Sequence, residues 1–145
     1  MERLYSAENT AQRARLQALV ARLSDDDLAR PIGHDWTVGV ALAHLAYWDR
    51  LWLGMIEDWE RAGAVKLPPA GSFDSTNDDL LPQWLRVPPA EAKQEALAAA
   101  KAIDRKVEGL ADTLAEAVLA ARPRTLNRAI HRREHLDEIE RALAS

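Results

Sequence analysis

Four long stretches of the sequence place apolar residues three and four positions apart, which is the spacing that lines one face of an α-helix. They cover about 3–23, 37–62, 89–110 and 126–144, and the third continues in a broken extension towards a proline-containing turn. No stretch alternates apolar and polar residues as a half-buried β-strand does. The sequence therefore predicts an all-α protein.

Capping residues mark where several of these helices begin and end. Ser24 and Thr37 have the hydroxyl side chains that are typical of helix N-caps. Three aspartates follow Ser24 directly, in the first turn of a predicted short helix, where the helix dipole favours negative charge. Gly63 is suited to the left-handed conformation that ends many helices. We therefore expect the second long helix to run from Thr37 to Gly63.

The connection between the second and third long helices is itself partly helical. A glycine- and proline-bearing segment covers 63–76, and a short helix is predicted at about 78–86, with Asn77 as its cap. Four long helices with one long connection are typical of a four-helix bundle. The chain has no internal repeat and no composition shift, so we predict a single helical-bundle domain over residues 1–145.

Composition limits the kinds of partner. The chain is 48% apolar and 29% charged, as in globular proteins, and no apolar run reaches the roughly 18 residues that cross a membrane. The net charge is −4, and the arginine-rich stretch 122–133 is followed at once by acidic residues. This alternation indicates a solvated helix face rather than a nucleic-acid surface. We expect a cytoplasmic protein with a small-molecule substrate and neither a nucleic-acid nor a membrane partner.

Three of the four histidines can converge on one point. His131 and His135 are four residues apart, so they project from the same face of the last helix. His44 lies on the apolar, aromatic face of the second helix. Three imidazoles with an open position form a known catalytic metal site, and the chain has no cysteine that could supply a thiolate ligand. We predict a divalent-metal site at His44, His131 and His135.

Each of these histidines also has a simpler interpretation. A pair four residues apart on a charged helix can be a surface feature, and a single histidine on an apolar face can be a hydrogen-bonded core residue. Counted from the start of its helix, His44 lies at a depth of roughly 9 Å, and His131 and His135 lie at depths of roughly 8 and 14 Å in theirs. These depths match if the second and the last long helix run parallel. An antiparallel arrangement would require the two helices to be offset along their lengths, and the sequence leaves this alternative open. His34 precedes its helix in a loop, and we do not expect it to be a ligand.

Neighbouring residues are candidates for supporting roles. The carboxylates nearest in sequence, Asp49 and Glu134, could orient a ligand's second ring nitrogen or carry a proton, or could pair with arginines at the surface. Trp48, one turn after His44, is expected in the core and as a wall of the pocket. Trp84 is a candidate cap over the opening.

The motifs resemble those of a known family. Trp36-Thr37-Val38, the run from His44 to Asp49 and the run from His131 to Leu136 are similar, in this order, to motifs of the DinB/YfiT-like metalloenzymes. The match extends through most of the chain. It is closest to the branch that resembles the N-terminal domain of mycothiol-dependent maleylpyruvate isomerase.

The resemblance implies a four-helix bundle whose metal, zinc or nickel, is bound by His44, His131 and His135. Characterised relatives transfer low-molecular-weight thiols, isomerise maleylpyruvate or act as hydrolases. We expect no counterpart of the isomerase's additional C-terminal domain, so the isomerase activity itself is not implied.

The function that follows is metal-dependent transfer of a low-molecular-weight thiol, which would be the co-substrate. The alternatives are a metal-dependent hydrolase and a non-catalytic, metal-binding interaction domain. The residues Leu51, Leu53 and Met55 widen the apolar surface of the second helix and are compatible with a homodimer.

Overall fold

The computed structural model describes residues 1–145 and is built almost entirely from helices. The seven α-helices and the two short strands follow one another in this order: α1 Leu4–Arg22, α2 Asp25–Leu28, β1 Pro31–Gly33, β2 Trp36–Thr37, α3 Val38–Ala62, α4 Thr76–Trp84, α5 Pro89–Gly109, α6 Asp112–Ala121 and α7 Ala129–Ala144. A 3₁₀ turn at Pro123–Thr125 joins α6 to α7. The prediction of an all-α fold is confirmed.

The four longest helices pack around a common interior. Helix α3 packs most extensively on α5 and also contacts α7, while α1 contacts both α5 and α7. Each long helix therefore has two long neighbours, which supports the predicted four-helix bundle. No helix is both long enough and apolar enough to cross a membrane.

The predicted caps are present at the ends of α2 and α3. The Thr37 hydroxyl accepts a hydrogen bond from the Val40 N–H at 3.1 Å and so caps α3. Ser24 and Asp27 form a reciprocal capping box at the start of α2. Gly63 ends α3 with φ at 70°, a left-handed conformation that glycine adopts without steric cost. An N-cap such as Thr37 or Ser24 stabilises its helix by about 1 kcal/mol.

A short antiparallel ribbon precedes α3 and was not predicted. Strand β1 pairs with β2, and His34 and Asp35 form the tight turn between them with φ values of 54° and 63°. Two residues with positive φ are typical of the two-residue hairpin turn. The strands are too short to show an alternating pattern. The ribbon leaves His34 exposed, as expected of a loop histidine, and brings Trp36 to the start of α3.

Two predicted helix starts are wrong. Asn77 lies inside α4 rather than capping it, and its side chain accepts a hydrogen bond from the Trp48 indole N–H at 3.0 Å. The last helix begins at Ala129 rather than near 126. The Asn9 side chain from α1 accepts a hydrogen bond from the Ala129 N–H at 2.9 Å. A residue 120 positions away therefore helps to set where α7 begins, which no local pattern reveals.

The interior consists of two apolar clusters with polar residues between them. One cluster is aliphatic and includes Leu16, Leu42 and Leu136, whereas the other is aromatic and includes Trp52 and Trp59. Five buried polar residues lie between these clusters along the long helices, and we call them the polar layer: Asn9, Asp49, Asp104, Arg128 and Arg132.

Candidate metal centre

The three predicted histidines meet inside the protein. The Nε2 atoms of His44 and His131 are 2.8 Å apart, and one nitrogen from each of the three rings lies within 4.8 Å of the others. The ring centroids of His44, His131 and His135 are separated by 4.6 to 4.8 Å. His44 is 4% exposed. The cluster thus joins His44 to residues that are 87 positions or more away in sequence.

Helices α3 and α7 run antiparallel where they carry the histidines. Asp49 pairs with Arg128 near the start of α7, whereas Trp36, before the start of α3, stacks on His135 further along α7. Contacts in this opposite order exclude the parallel arrangement. The offset that the antiparallel arrangement requires is present, because α7 begins opposite Asp49 in the middle of α3 rather than opposite the end of α3.

Burial keeps all three imidazoles uncharged at neutral pH. It lowers the pKa of His44 to about 3, and the neighbouring His135 adds to this effect. The pKa of His131 lies well below its ordinary value because of burial and because of the other two histidines. Burial also lowers the pKa of His135, although Glu138 and Glu134 act in the opposite direction. Neutral imidazoles have the free lone pairs that a metal ion requires.

The donor atoms fit a single divalent ion. Two nitrogens bound to one tetrahedral zinc ion lie about 3.3 Å apart. This separation lies between the 2.8 Å that joins the Nε2 atoms of His44 and His131 and the 4.8 Å within which all three ligand nitrogens lie. The Nδ1 atoms of His44 and His135 are buried without a hydrogen-bond partner, although the latter is 2.9 Å from a Glu138 oxygen. Imidazole donors suit zinc, nickel, copper and iron.

Aromatic rings surround the histidines. Trp36 stacks on His135 with the ring planes at 26°, and its centroid is 4.8 Å from that of His44. Trp84 packs edge-on against His44 at 5.4 Å and is 5% exposed. It does not line the cavity described below, so the expectation that it caps the opening is wrong. The sequence signals for Trp36 were its position directly before the Thr37 cap and its place in the first motif of the family resemblance.

A cavity of about 430 Å³ opens beside the three histidines. Its aromatic wall contains Trp48, Trp52 and Phe73, so Trp48 lies in the predicted position. The arginines Arg122, Arg124 and Arg128 also line it, and no sequence pattern assigned them to the site. The cavity gives the histidine cluster access to solvent and to a small molecule.

The two candidate carboxylates occupy different places. Glu134 is exposed, lines the cavity and pairs with Arg124 at 3.2 Å. Asp49 is 2% exposed and pairs with Arg128 at 3.0 Å and Arg132 at 3.4 Å, within the polar layer. Neither forms a hydrogen bond with a histidine, and the catalytic role of each stays a prediction.

The interpretation of the arginine-rich stretch as a solvated face is wrong for Arg128 and Arg132. Arg132 follows His131 directly, is 1% exposed and donates to both oxygens of Asp104 at 2.8 and 2.9 Å. Arg13 approaches the same carboxylate at 2.6 Å. These contacts fix α7 against α1, α3 and α5, and thereby fix the directions of His131 and His135.

A mainly helical protein in which three neutral imidazoles converge beside an open cavity is a candidate metalloprotein of the three-histidine kind. A family profile described as the DinB superfamily matches residues 8–138. The chain belongs to the DinB superfamily, as its three motifs predicted. No curated protein and no solved structure matches the chain.

Proposed function

We propose that this protein is a divalent-metal-dependent enzyme that transfers a low-molecular-weight thiol to a small electrophilic substrate. The observation that carries the proposal is the convergence of His44, His131 and His135 beside a cavity of about 430 Å³. A purely structural metal site is normally closed by a fourth protein ligand. No aspartate, glutamate or cysteine joins the three histidines, so a coordination position is left for a small molecule.

The three imidazoles determine what the site can do. A divalent ion bound by neutral ligands keeps its full charge and lowers the pKa of a thiol or water molecule that it binds. The chain has no cysteine, so the thiol comes from solution and competes with no internal thiolate. The resemblance to the mycothiol-dependent branch supports a thiol of that kind, and zinc or nickel as the ion.

Other residues of the cavity prepare the reactants. Trp48, Trp52 and Phe73 provide apolar surface that displaces water from the body of a substrate. Glu134 is exposed at the cavity and accepts the proton that a thiol releases. Asp49 acts indirectly, because its ion pair with Arg128 holds an arginine of the cavity wall in place.

The test is a thiol-consumption assay on the purified protein. The protein is stripped of metal, reloaded with zinc or nickel, and incubated with mycothiol, glutathione or cysteine and the electrophile monobromobimane. We expect metal-dependent loss of at least one thiol above the uncatalysed rate. His131→Ala should abolish it, whereas His34→Ala, which changes an exposed histidine outside the site, should not.

Two outcomes would replace this proposal. Thiol loss that is equal with and without metal would contradict the transferase function. Metal-dependent cleavage of p-nitrophenyl acetate in the absence of any thiol, combined with no thiol consumption, would favour the hydrolase. The homodimer stays a prediction, and Leu51, Leu53 and Met55 are half-buried against the aromatic cluster of the same chain.

A further inference from the structure

One arginine of the cavity has no acidic partner. Arg122 follows the end of α6, and its guanidinium lies 4.1 Å from the centre of the Trp52 ring. Its Nη1 donates to the Thr125 hydroxyl at 3.1 Å. The side chain forms no ion pair, and the charges that act on it are those of Arg128 and Arg124, which together with burial lower its pKa. The site therefore holds a half-buried positive charge among like charges.

The other two arginines of the cavity are already neutralised. Arg128 pairs with Asp49 at 3.0 Å, and Arg124 pairs with Glu134 at 3.2 Å. Asp74 also lines the cavity, but it is exposed at the rim and lies beyond ion-pair distance of Arg122. Partial burial of an unpaired charge is unfavourable, and an anion bound from solution would remove that cost.

The surface next to Arg122 is aromatic and apolar. Trp52 and Phe73 lie edge to face with their ring centroids 5.9 Å apart, and Trp48 contacts Phe73 at 5.2 Å. Because Arg122 stacks on Trp52, its planar fork of N–H donors is held in one orientation. Such a fork matches the two oxygens of a carboxylate.

We propose that Arg122, held in place by Trp52, forms with Phe73 and Trp48 a binding site for a small organic acid, with its carboxylate on the guanidinium and an apolar body against the Phe73 and Trp48 rings. The site shares its cavity with His44, His131 and His135. The identification of this acid as the substrate rests on the proposed function, whereas binding at Arg122 does not. A carboxylate is favoured over a phosphate because only one unpaired cation faces the cavity and no lysine lines it.

The experiment measures binding to metal-free protein by calorimetry, with tryptophan fluorescence as a second readout. The probes are benzoate, its neutral analogue benzyl alcohol, and inorganic phosphate. We expect benzoate to bind at least about tenfold more tightly than benzyl alcohol, because a charge-assisted hydrogen bond contributes this much. Arg122→Met should remove that advantage, and Arg122→Lys should lose part of it. Arg105→Met, at an exposed and unpaired arginine on α5, should bind benzoate like the wild type.

Three results would overturn the inference. The first is equal binding of benzoate and benzyl alcohol, the second is unchanged benzoate affinity in Arg122→Met, and the third is phosphate binding more tightly than benzoate. If Arg122→Met does not fold, unchanged benzoate affinity in Arg122→Lys overturns it instead. Zinc content of each variant is measured in parallel, and we expect Arg122→Met to retain its metal. Failure of the anion site therefore stays separate from failure of the metal site.

Discussion

Two buried polar regions lie side by side in this protein and differ in whether their groups have partners. In the polar layer, Asp104 meets Arg13 and Arg132, and Asp49 meets Arg128 and Arg132. In the histidine cluster one turn away, the rings are neutral, and one nitrogen from each ring lies within 4.8 Å of the others with no acidic residue in the group. The charges of the first region are paired within the chain, and only the Arg132 Nε lacks a hydrogen-bond partner there, whereas the second region collects uncharged nitrogen donors beside a cavity.

The difference distinguishes buried polar groups that stabilise the fold from buried polar groups that are available to bind a ligand. Arg132 lies between His131 and His135 on α7, so the same helix contributes to both regions. Buried polar groups are normally satisfied within the protein, and groups that are not satisfied need another explanation. A bound ion explains why three uncharged imidazoles converge with no acidic residue among them, whereas the charged groups of the polar layer are balanced by one another.

The largest expected effect comes from breaking the polar layer. Asp104→Ala leaves Arg132 without its bidentate partner in a position that is 1% exposed. Removing one member of a buried ion pair costs about 3–5 kcal/mol, and we expect the free energy of unfolding in urea to fall by that amount. Glu116→Ala, at an exposed and unpaired residue of α6, should change it by less than about 0.5 kcal/mol. A loss below about 1 kcal/mol for Asp104→Ala would show that the layer is not the matched network described above.

A smaller effect is expected from acid acting on the histidine cluster of metal-free protein. The pKa of His44 is about 3 in the folded state and 6.5 in its ordinary environment, so between these values the unfolded chain binds the additional proton. Stability is therefore fully present above pH 6.5 and decreases as the pH falls, by about 1.4 kcal/mol per unit. Between about pH 6.5 and pH 5 this amounts to roughly 2 kcal/mol for His44 alone.

Urea denaturation in the presence of EDTA, repeated across this pH range, measures the effect. His44→Leu replaces the titrating group with an apolar side chain that can stay buried. Its free energy of unfolding should therefore fall by roughly 2 kcal/mol less than that of the wild type over this pH range. An equal loss in both proteins would mean that the His44 ring is not held neutral by burial.

The sequence predicted the features that depend on local periodicity. The helices, the Thr37 and Ser24 caps and the left-handed end at Gly63 follow from spacing and residue type alone. His131 and His135 could be paired because four residues make about one turn. The prediction that they meet His44 also required the family resemblance, since spacing alone left open how α3 and α7 are oriented.

The features that were missed depend on contacts between distant segments. Arg128 and Arg132 have the same sequence pattern as exposed arginines, and only the approach of Asp49 and Asp104 from other helices makes their burial possible. Arg122 likewise gains its role from Trp52, which is 70 positions earlier in the sequence. Such partners are set by tertiary packing rather than by any repeat along the chain.

The central claim is that His44, His131 and His135 bind one metal ion, and metal content tests it most directly. The wild type, His44→Ala, His135→Ala and the control His34→Ala are each loaded with zinc, desalted and analysed for zinc per chain. We predict about one zinc ion in the wild type and in His34→Ala, and a loss of nearly all of it in the other two variants. Full zinc retention in either His44→Ala or His135→Ala would contradict the account.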